Sequence, residues 1–495
     1  ALADKLAAKK AAMSSKEIKA VVDATAAYNE WNDTTASVPE TIQKLVTAKA
    51  SKIEITKPEY KTTVEDENGV KVYTAEVDNE ASYYRYFFDL SDLSVEEVQA
   101  LNEYVNFLGL STTNRSQEEV DNEYNKYMSG FSARISANVI DGKSIPSLVI
   151  GFYAFPENLE KALDLTFDML YNTDLISNTD LVGQYLYYFY SDLTDPESMF
   201  SATAGLAGGS SDYSRRLAWV LNGIPRFKFL ETALMSEEGF EDILVQMTAV
   251  KDKVVKRQNG VVYVIGKPET FKASKKLMLD RFPAKLENHE AGSICSLEKT
   301  PKTSAIVMNT NASYMLSFYQ PKKEASIKAT AARMVAFALL DDQLYTPQLR
   351  FVLGAYGGNC GASQDGYAYS QLYRAPSFTE AYDVIAQAPD YLSQLLDVIE
   401  TKDLNGYKLR LISELITPSG DLNMAINELY YEKSGKGSDI AYDVAKAIRK
   451  VSVKDIKKQI KHIARIYKRS GTAIIGTEAE IQANADLFDE FYDMR

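Results

Sequence analysis

Glu76-Val-Asp-Asn-Glu-Ala-Ser-Tyr-Tyr-Arg-Tyr-Phe-Phe88 returns in altered form as Val307-Met-Asn-Thr-Asn-Ala-Ser-Tyr-Met-Leu-Ser-Phe-Tyr319. Each segment ends in a run of aromatic residues that suits a strand. Three more pairs follow in the same order. Gly130-Phe-Ser with Asp141-Gly142 matches Gly354-Ala-Tyr with Asp365-Gly366. Asp174-Leu-Ile with Asp180-Leu-Val-Gly183 matches Asp397-Val-Ile with Asp403-Leu-Asn-Gly406. Asn259-Gly-Val-Val-Tyr-Val-Ile-Gly266 matches Ser470-Gly-Thr-Ala-Ile-Ile-Gly476. The offsets run from about 210 to 231 residues. Four ordered matches imply a duplicated domain. The polar stretch Lys285 to Lys302 separates the copies.

Within each copy strands arrive in adjacent runs and hairpins, not in strict alternation with helices. Asn68-Gly69, between Thr62-Val64 and Val70-Val77, is a hairpin turn signal. Ser94-Val95-Glu96-Glu97 opens an apolar-periodic helix that Gly109 stops. Further helices are expected near 117–129, 157–171 and 178–192, with a strand near 146–155. This order predicts an α+β fold: two duplicated domains, each with an antiparallel-dominated sheet and helices on one face. Residues 1–45 read as a helical linker arm, 46–290 as the first domain and 291–495 as the second. Ser14 and Glu17 predict a capped helix within the arm, and Thr34, Thr35, Ser37 and Pro39 close it. The arm starts as if already inside a helix, which suggests a fragment, a processed form or one half of a longer protein.

Composition narrows the function. The 495 residues carry 55 Lys+Arg against 68 Asp+Glu, a net charge of -13. An acidic chain is not a general nucleic-acid binder. With 2 Cys, a disulfide framework is excluded. With 2 His, far apart at 289 and 462, no familiar zinc spacing exists. No apolar run reaches the roughly 18 residues of a membrane span, and no signal-peptide core is present, so a soluble chain is expected. His289 and His462 read as surface residues. The basic run Arg449 to Arg469 reads as a solvated helix face. Ala204 to Gly209 with Ser210-Ser211 reads as a flexible loop.

The most unusual stretch is Leu349-Arg350-Phe-Val-Leu-Gly354-Ala-Tyr356-Gly-Gly-Asn-Cys360-Gly361. No Gly-Lys-Ser/Thr follows, so it is not a phosphate loop. It reads as a glycine-rich strand with close backbone approach, from which Arg350 and Tyr356 could donate hydrogen bonds to a substrate. In the first copy, Lys126 and Ser132 align with Arg350 and Tyr356. The scaffold therefore does not need the pair. Tyr367, Tyr369, Tyr373 and Arg374-Ala-Pro376 follow, as an amphipathic strand leaving the sheet.

At Leu344-Tyr345 through Arg350, Gly354-Ala355-Tyr356-Gly357 and Tyr373-Arg374-Ala-Pro376, the sequence resembles the pitrilysin-type (inverzincin) zinc metallopeptidases, nearest the presequence-peptidase branch. The arm, with Lys5-Leu-Ala-Ala and Ser14-Ser15-Lys-Glu-Ile18, resembles the helical hairpin that joins the halves of such enzymes. The resemblance covers the chain only as a C-terminal half. It implies a clamshell peptidase that degrades unfolded peptides in a closed chamber, with the zinc motif H-x-x-E-H in a separate N-terminal half. At the pseudo-equivalent place here stands Ala100-Leu-Asn-Glu103-Tyr104, with both His positions replaced, so Glu103 reads as structural. The resemblance carries Arg350 and Tyr356 over as groups that bind substrate and stabilise the transition state. No zinc ligand and no cofactor-binding residue is expected in this chain, and alone it is expected to be inactive. The departures are Leu353, where the family often has Gly, and Ala375, where it often has an acidic residue. The competing reading is a non-catalytic subunit or peptide-binding scaffold that pairs with a separate zinc-bearing chain. Cleavage preference, compartment and oligomeric state are not legible, nor is whether Cys295 and Cys360 meet.

Overall fold

A computed structural model describes residues 2–36, 48–321 and 325–495. Leu2–Ala11 and Ser15–Ala36 are helices and belong to a unit of their own, 1–53. The second begins at the expected capping box: Ser14 N–H donates to Glu17 at 2.8 Å, and Glu17 N–H to Ser14 Oγ at 3.3 Å. Thr34 and Thr35 continue this helix. Ser37, Pro39 and the expected boundary at 45 lie outside the described residues.

Residues 54–495 hold two six-stranded sheets. The first is built from β1 (Thr62–Glu67), β2 (Val70–Glu76), β3 (Ser82–Asp89), β4 (Ser129–Ile140), β5 (Lys143–Ala154) and β6 (Gly260–Gly266). The second has β7 (Thr303–Val307), β8 (Ser313–Tyr319), β9 (Gly357–Ala362), β10 (Ala368–Ala375), β11 (Gly471–Gly476) and β12 (Glu490–Asp493). Their orders are β1-β2-β6-β3-β5-β4 and β12-β7-β11-β8-β10-β9. Five strands correspond one for one, and only the edges β1 and β12 differ. The sense agrees too. β2 runs parallel to β6 as β7 does to β11, and the next three pairings are antiparallel in both sheets.

Register fixes the duplication residue by residue. Glu76 pairs with Gly266 and Tyr83 with Ile265; Val307 pairs with Gly476 and Tyr314 with Ile475. One expected alignment moves. Gly151 faces Arg85 and Ser132, whereas Gln371 faces Leu316 and Asn359. Ser129 opposite Tyr153 then answers to Gly357 opposite Tyr373. Tyr356 therefore corresponds to Met128, ahead of the strand, and not to Ser132; the pairing of Arg350 with Lys126 moves with it. A bulge between Ser129 and Ser132 accounts for one residue of the slip.

The first sheet is covered on both faces. Tyr84, Tyr86, Phe88, Ile150 and Val262 pack beneath the helices of the first copy. Tyr83, Phe87, Val149, Val261 and Tyr263 meet Ala425 and Leu429, from the helix Asp421–Lys433 of the second copy. Tyr263 Oη donates to Leu429 O at 3.1 Å. Burial on both sides explains why Gly260–Gly266 is apolar throughout instead of alternating.

Residues 204–209 do not form a loop. They end the helix Pro196–Gly209, which is capped by Asp195 and buried along most of its length. Its glycines serve close packing. A Cβ on Gly205 would sit 2.7 Å from Trp219 N, and one on Gly471 would sit 2.0 Å from Ala207 O. The helix is thereby seated against β11 and joins the two halves of the duplication.

Candidate functional site

The helix Ile327–Leu340 widens into a π-helix over Asp341–Val352. Pro347 lies inside it and has no N–H to give to an α-helical ladder. Leu353 N–H then bonds back to Gln348 O at 2.9 Å, a five-residue step. Such wide turns concentrate at functional sites. Arg350 therefore stands on the last turn of a helix, not in a strand, as expected from the glycine count. Gly354, at φ 74°, reverses the chain, and Tyr356 sits one residue before β9. Ala355 N–H bonds to Leu349 O at 2.9 Å, so Arg350 and Tyr356 each follow one end of a shared backbone bond. The remaining glycines admit neighbours: a Cβ on Gly358 would meet Leu349 at 2.7 Å.

Both side chains face solvent. Tyr356 is 70% exposed, beside Phe351 at 73% and Val352 at 66%. Arg350 lies 6.0 Å from the Phe351 ring centre. Among the described residues, no carboxylate pairs with Arg350 and no hydrogen bond occupies the Tyr356 hydroxyl. The backbone beneath is fixed. Tyr356 N–H donates to Arg374 O at 3.1 Å, and the Tyr356 ring meets Tyr373 edge-on at 6.0 Å. Tyr373 and Arg374 lie where the register of β10 against β8 shifts, between Leu372 and Ala375.

Beneath this surface is a buried polar network. Tyr345 Oη shares hydrogen bonds with Ser370 Oγ at 2.7 Å and Tyr467 Oη at 3.1 Å. Cys360 N–H donates to Asp341 Oδ1 at 3.1 Å, tying the start of the π-helix to β9. Burial pushes the Asp341 carboxyl up and the Cys360 thiol well up, so Cys360 is an inert packed thiol. Cys295 is exposed, and both cysteines are free.

Three partners of the site were not foreseen: Glu197, Phe200 and Tyr314. Glu197 accepts from Tyr373 Oη at 2.6 Å and pairs with Arg374 at 3.1 Å. The carboxylate pushes the Tyr373 phenol up to about 12. Phe200 packs against Tyr314 and Tyr373, both at 5.5 Å. These contacts cross between the copies, and no local pattern announces them.

Known proteins resemble this chain in sequence and fold. Residues 1–184 match the associated domain of peptidase family M16, subfamily C. The mitochondrial presequence protease of Drosophila melanogaster is 24% identical over 366 residues, 72% of this chain and 35% of that protein. The crystal structure of pitrilysin matches with a TM-score of 0.62 and 10% identity, over 89% of this chain and 46% of pitrilysin. A peptidase M16 inactive domain from Pseudomonas fluorescens matches with a TM-score of 0.58 and 12% identity, over 85% of this chain and 98% of that one. Over most of its length the chain is similar to pitrilysin-like peptidases. It spans about a third of the Drosophila relative.

The pitrilysin-like family implies zinc, and the residues here do not fit it. Glu103 is fully buried, and Arg226 grips both its oxygens at 2.7 Å. Ala100 offers no donor atom, and Tyr104 gives its hydroxyl to Leu170 O at 2.9 Å. Among the described residues, no cluster of His, Cys, Asp and Glu could hold a metal ion. His289 contacts Asp92 at 3.4 Å, and His462 is exposed on the basic helix Ile460–Arg469, whose Ile463 and Ile466 are buried. No helix among the described residues is long and apolar enough to cross a membrane.

Proposed function

We propose that this chain is the C-terminal half of a zinc-dependent metalloendopeptidase that degrades unfolded peptides in a closed chamber. Its partner is an N-terminal catalytic half, on the same polypeptide or a separate chain, that carries the zinc ligands. This chain supplies Arg350 and Tyr356 and is inactive alone. One observation carries the reading. A phenol and a guanidinium, both exposed and both without a polar partner among the described residues, stand on a backbone pinned by hydrogen bonds on each side.

Such donors suit peptide cleavage. As a carbonyl is attacked, negative charge grows on its oxygen. A hydroxyl and a guanidinium already in place stabilise that charge without reorganising. Tyr356→Phe in the completed enzyme should lower kcat by about 10²- to 10³-fold, with KM little changed. Steady-state kinetics on a fluorogenic peptide checks it. An unchanged kcat would remove Tyr356 from the reaction.

A second reading keeps the fold and drops the catalytic role: a partner subunit or peptide-binding scaffold. It is favoured by the match to the Pseudomonas fluorescens protein, described as an inactive domain, over 98% of that chain. Under that reading Tyr356→Phe weakens peptide binding but leaves turnover by the partner untouched.

A further inference from the structure

Glu197 lies in the first turn of the helix Pro196–Gly209, in the first half of the duplication. Its carboxylate reaches the second sheet. One oxygen accepts from Tyr373 Oη at 2.6 Å; the other pairs with Arg374 Nη1 at 3.1 Å. One turn along, Phe200 packs its ring on Tyr373. Tyr373 and Arg374 are in turn the two residues that hold Tyr356, one through its ring and one through its carbonyl. Arg374 does so at φ 50°, a left-handed conformation that a non-glycine residue keeps only when its surroundings hold it. Both of these holds on Tyr356 thus run through residues that Glu197 touches.

We infer that Glu197 is a positioning residue for Tyr356, a brace by which the first domain sets the place of a substrate-binding group on the second. This rests on the reading of Tyr356 given above. A role in stability alone does not suit the geometry. Glu197 is 43% exposed and Arg374 51%, and half-exposed ion pairs add little to folding. A short charge-assisted hydrogen bond supplies direction instead. A displacement of the helix Pro196–Gly209 against β10 would be passed to Tyr356.

The test places 3-fluorotyrosine at position 356 of the completed enzyme and reads its fluorine resonance together with kcat and KM. Glu197→Ala should shift or broaden the resonance and lower kcat by roughly ten- to a hundredfold, with KM within about twofold. Tyr373→Phe, which keeps the ring and deletes the bond, should move the resonance the same way. Glu197→Gln still accepts from Tyr373 and should restore both signals. Melting temperatures of all three should match the parent. A resonance unmoved by both Glu197→Ala and Tyr373→Phe overturns the brace, even where Tyr356→Phe shows that Tyr356 acts. A resonance that moves while neither Glu197→Ala nor Tyr356→Phe changes kcat upholds the brace and removes the catalytic reading of Tyr356. A fall in kcat that Glu197→Gln does not restore, with the resonance in place, also contradicts the brace.

Discussion

Lys433 carries an ammonium group into the packing between the first sheet and the helix Asp421–Lys433, where it is fully buried. It donates to Val139 O at 3.0 Å and lies 4.8 Å from the Phe87 ring centre. No carboxylate answers it among the described residues, and Arg85 is a second cation nearby. Burial first, and then Arg85, lower its pKa from 10.5 to about 8. The sign follows. Between about pH 8 and 10.5 the unfolded chain binds a proton that the folded chain has released. Stability therefore rises with pH in that window, and below it the burial cost is present in full. The buried tyrosines act oppositely near pH 10, and the Cys360 thiol, also raised by burial, acts oppositely from about pH 9, so the Lys433 contribution is read as the difference between the parent and Lys433→Met. Urea unfolding from about pH 8 to 9.5 should show the stability gap between Lys433→Met and the parent narrowing as pH rises. Lys433→Met should be the more stable protein at pH 7, by about 1–3 kcal/mol. A gap that stays constant or widens over this range would contradict the burial argument.

At the scale of elements, glycine has two uses that composition does not separate. In Asn68-Gly69 and Asp141-Gly142, residues at positive φ turn hairpins, and at Asn68-Gly69 that use was legible. In Gly205 and Gly471 the glycine removes a side chain where backbones touch, so a stretch with the composition of a loop forms a helix. Gly471→Ala would drive a methyl into Ala207 O and should cost about 1–3 kcal/mol, read as a lower midpoint in urea. A midpoint equal to the parent's would mean that the helix Pro196–Gly209 can move off β11. The capping boxes at Ser14 and Ser94 were legible because they need only neighbours three residues apart. The π-helix was not legible. Arg350 and Tyr356 stood out through their spacing, but a wide helical turn and a glycine reversal, not a strand, carry them. Glu197 lies more than 150 residues from Arg374 and Tyr373, and only the folded chain joins them.

At the scale of the whole molecule, the duplication was legible because strand order preserves it: five strands of each sheet correspond in order and sense. The copies have diverged where chemistry would be placed. The first keeps Glu103 as a buried partner of Arg226, and the second has Arg350 and Tyr356 exposed and without polar partners among the described residues. Under the proposed function, a second half supplies the metal. The most direct measurement is peptide hydrolysis by this chain, by a zinc-bearing pitrilysin-type N-terminal half, and by the two combined. The account predicts no turnover by this chain, turnover by the combination, and its loss with Tyr356→Phe. Metal-dependent hydrolysis by this chain alone, or a combination no faster than the N-terminal half by itself, would contradict it.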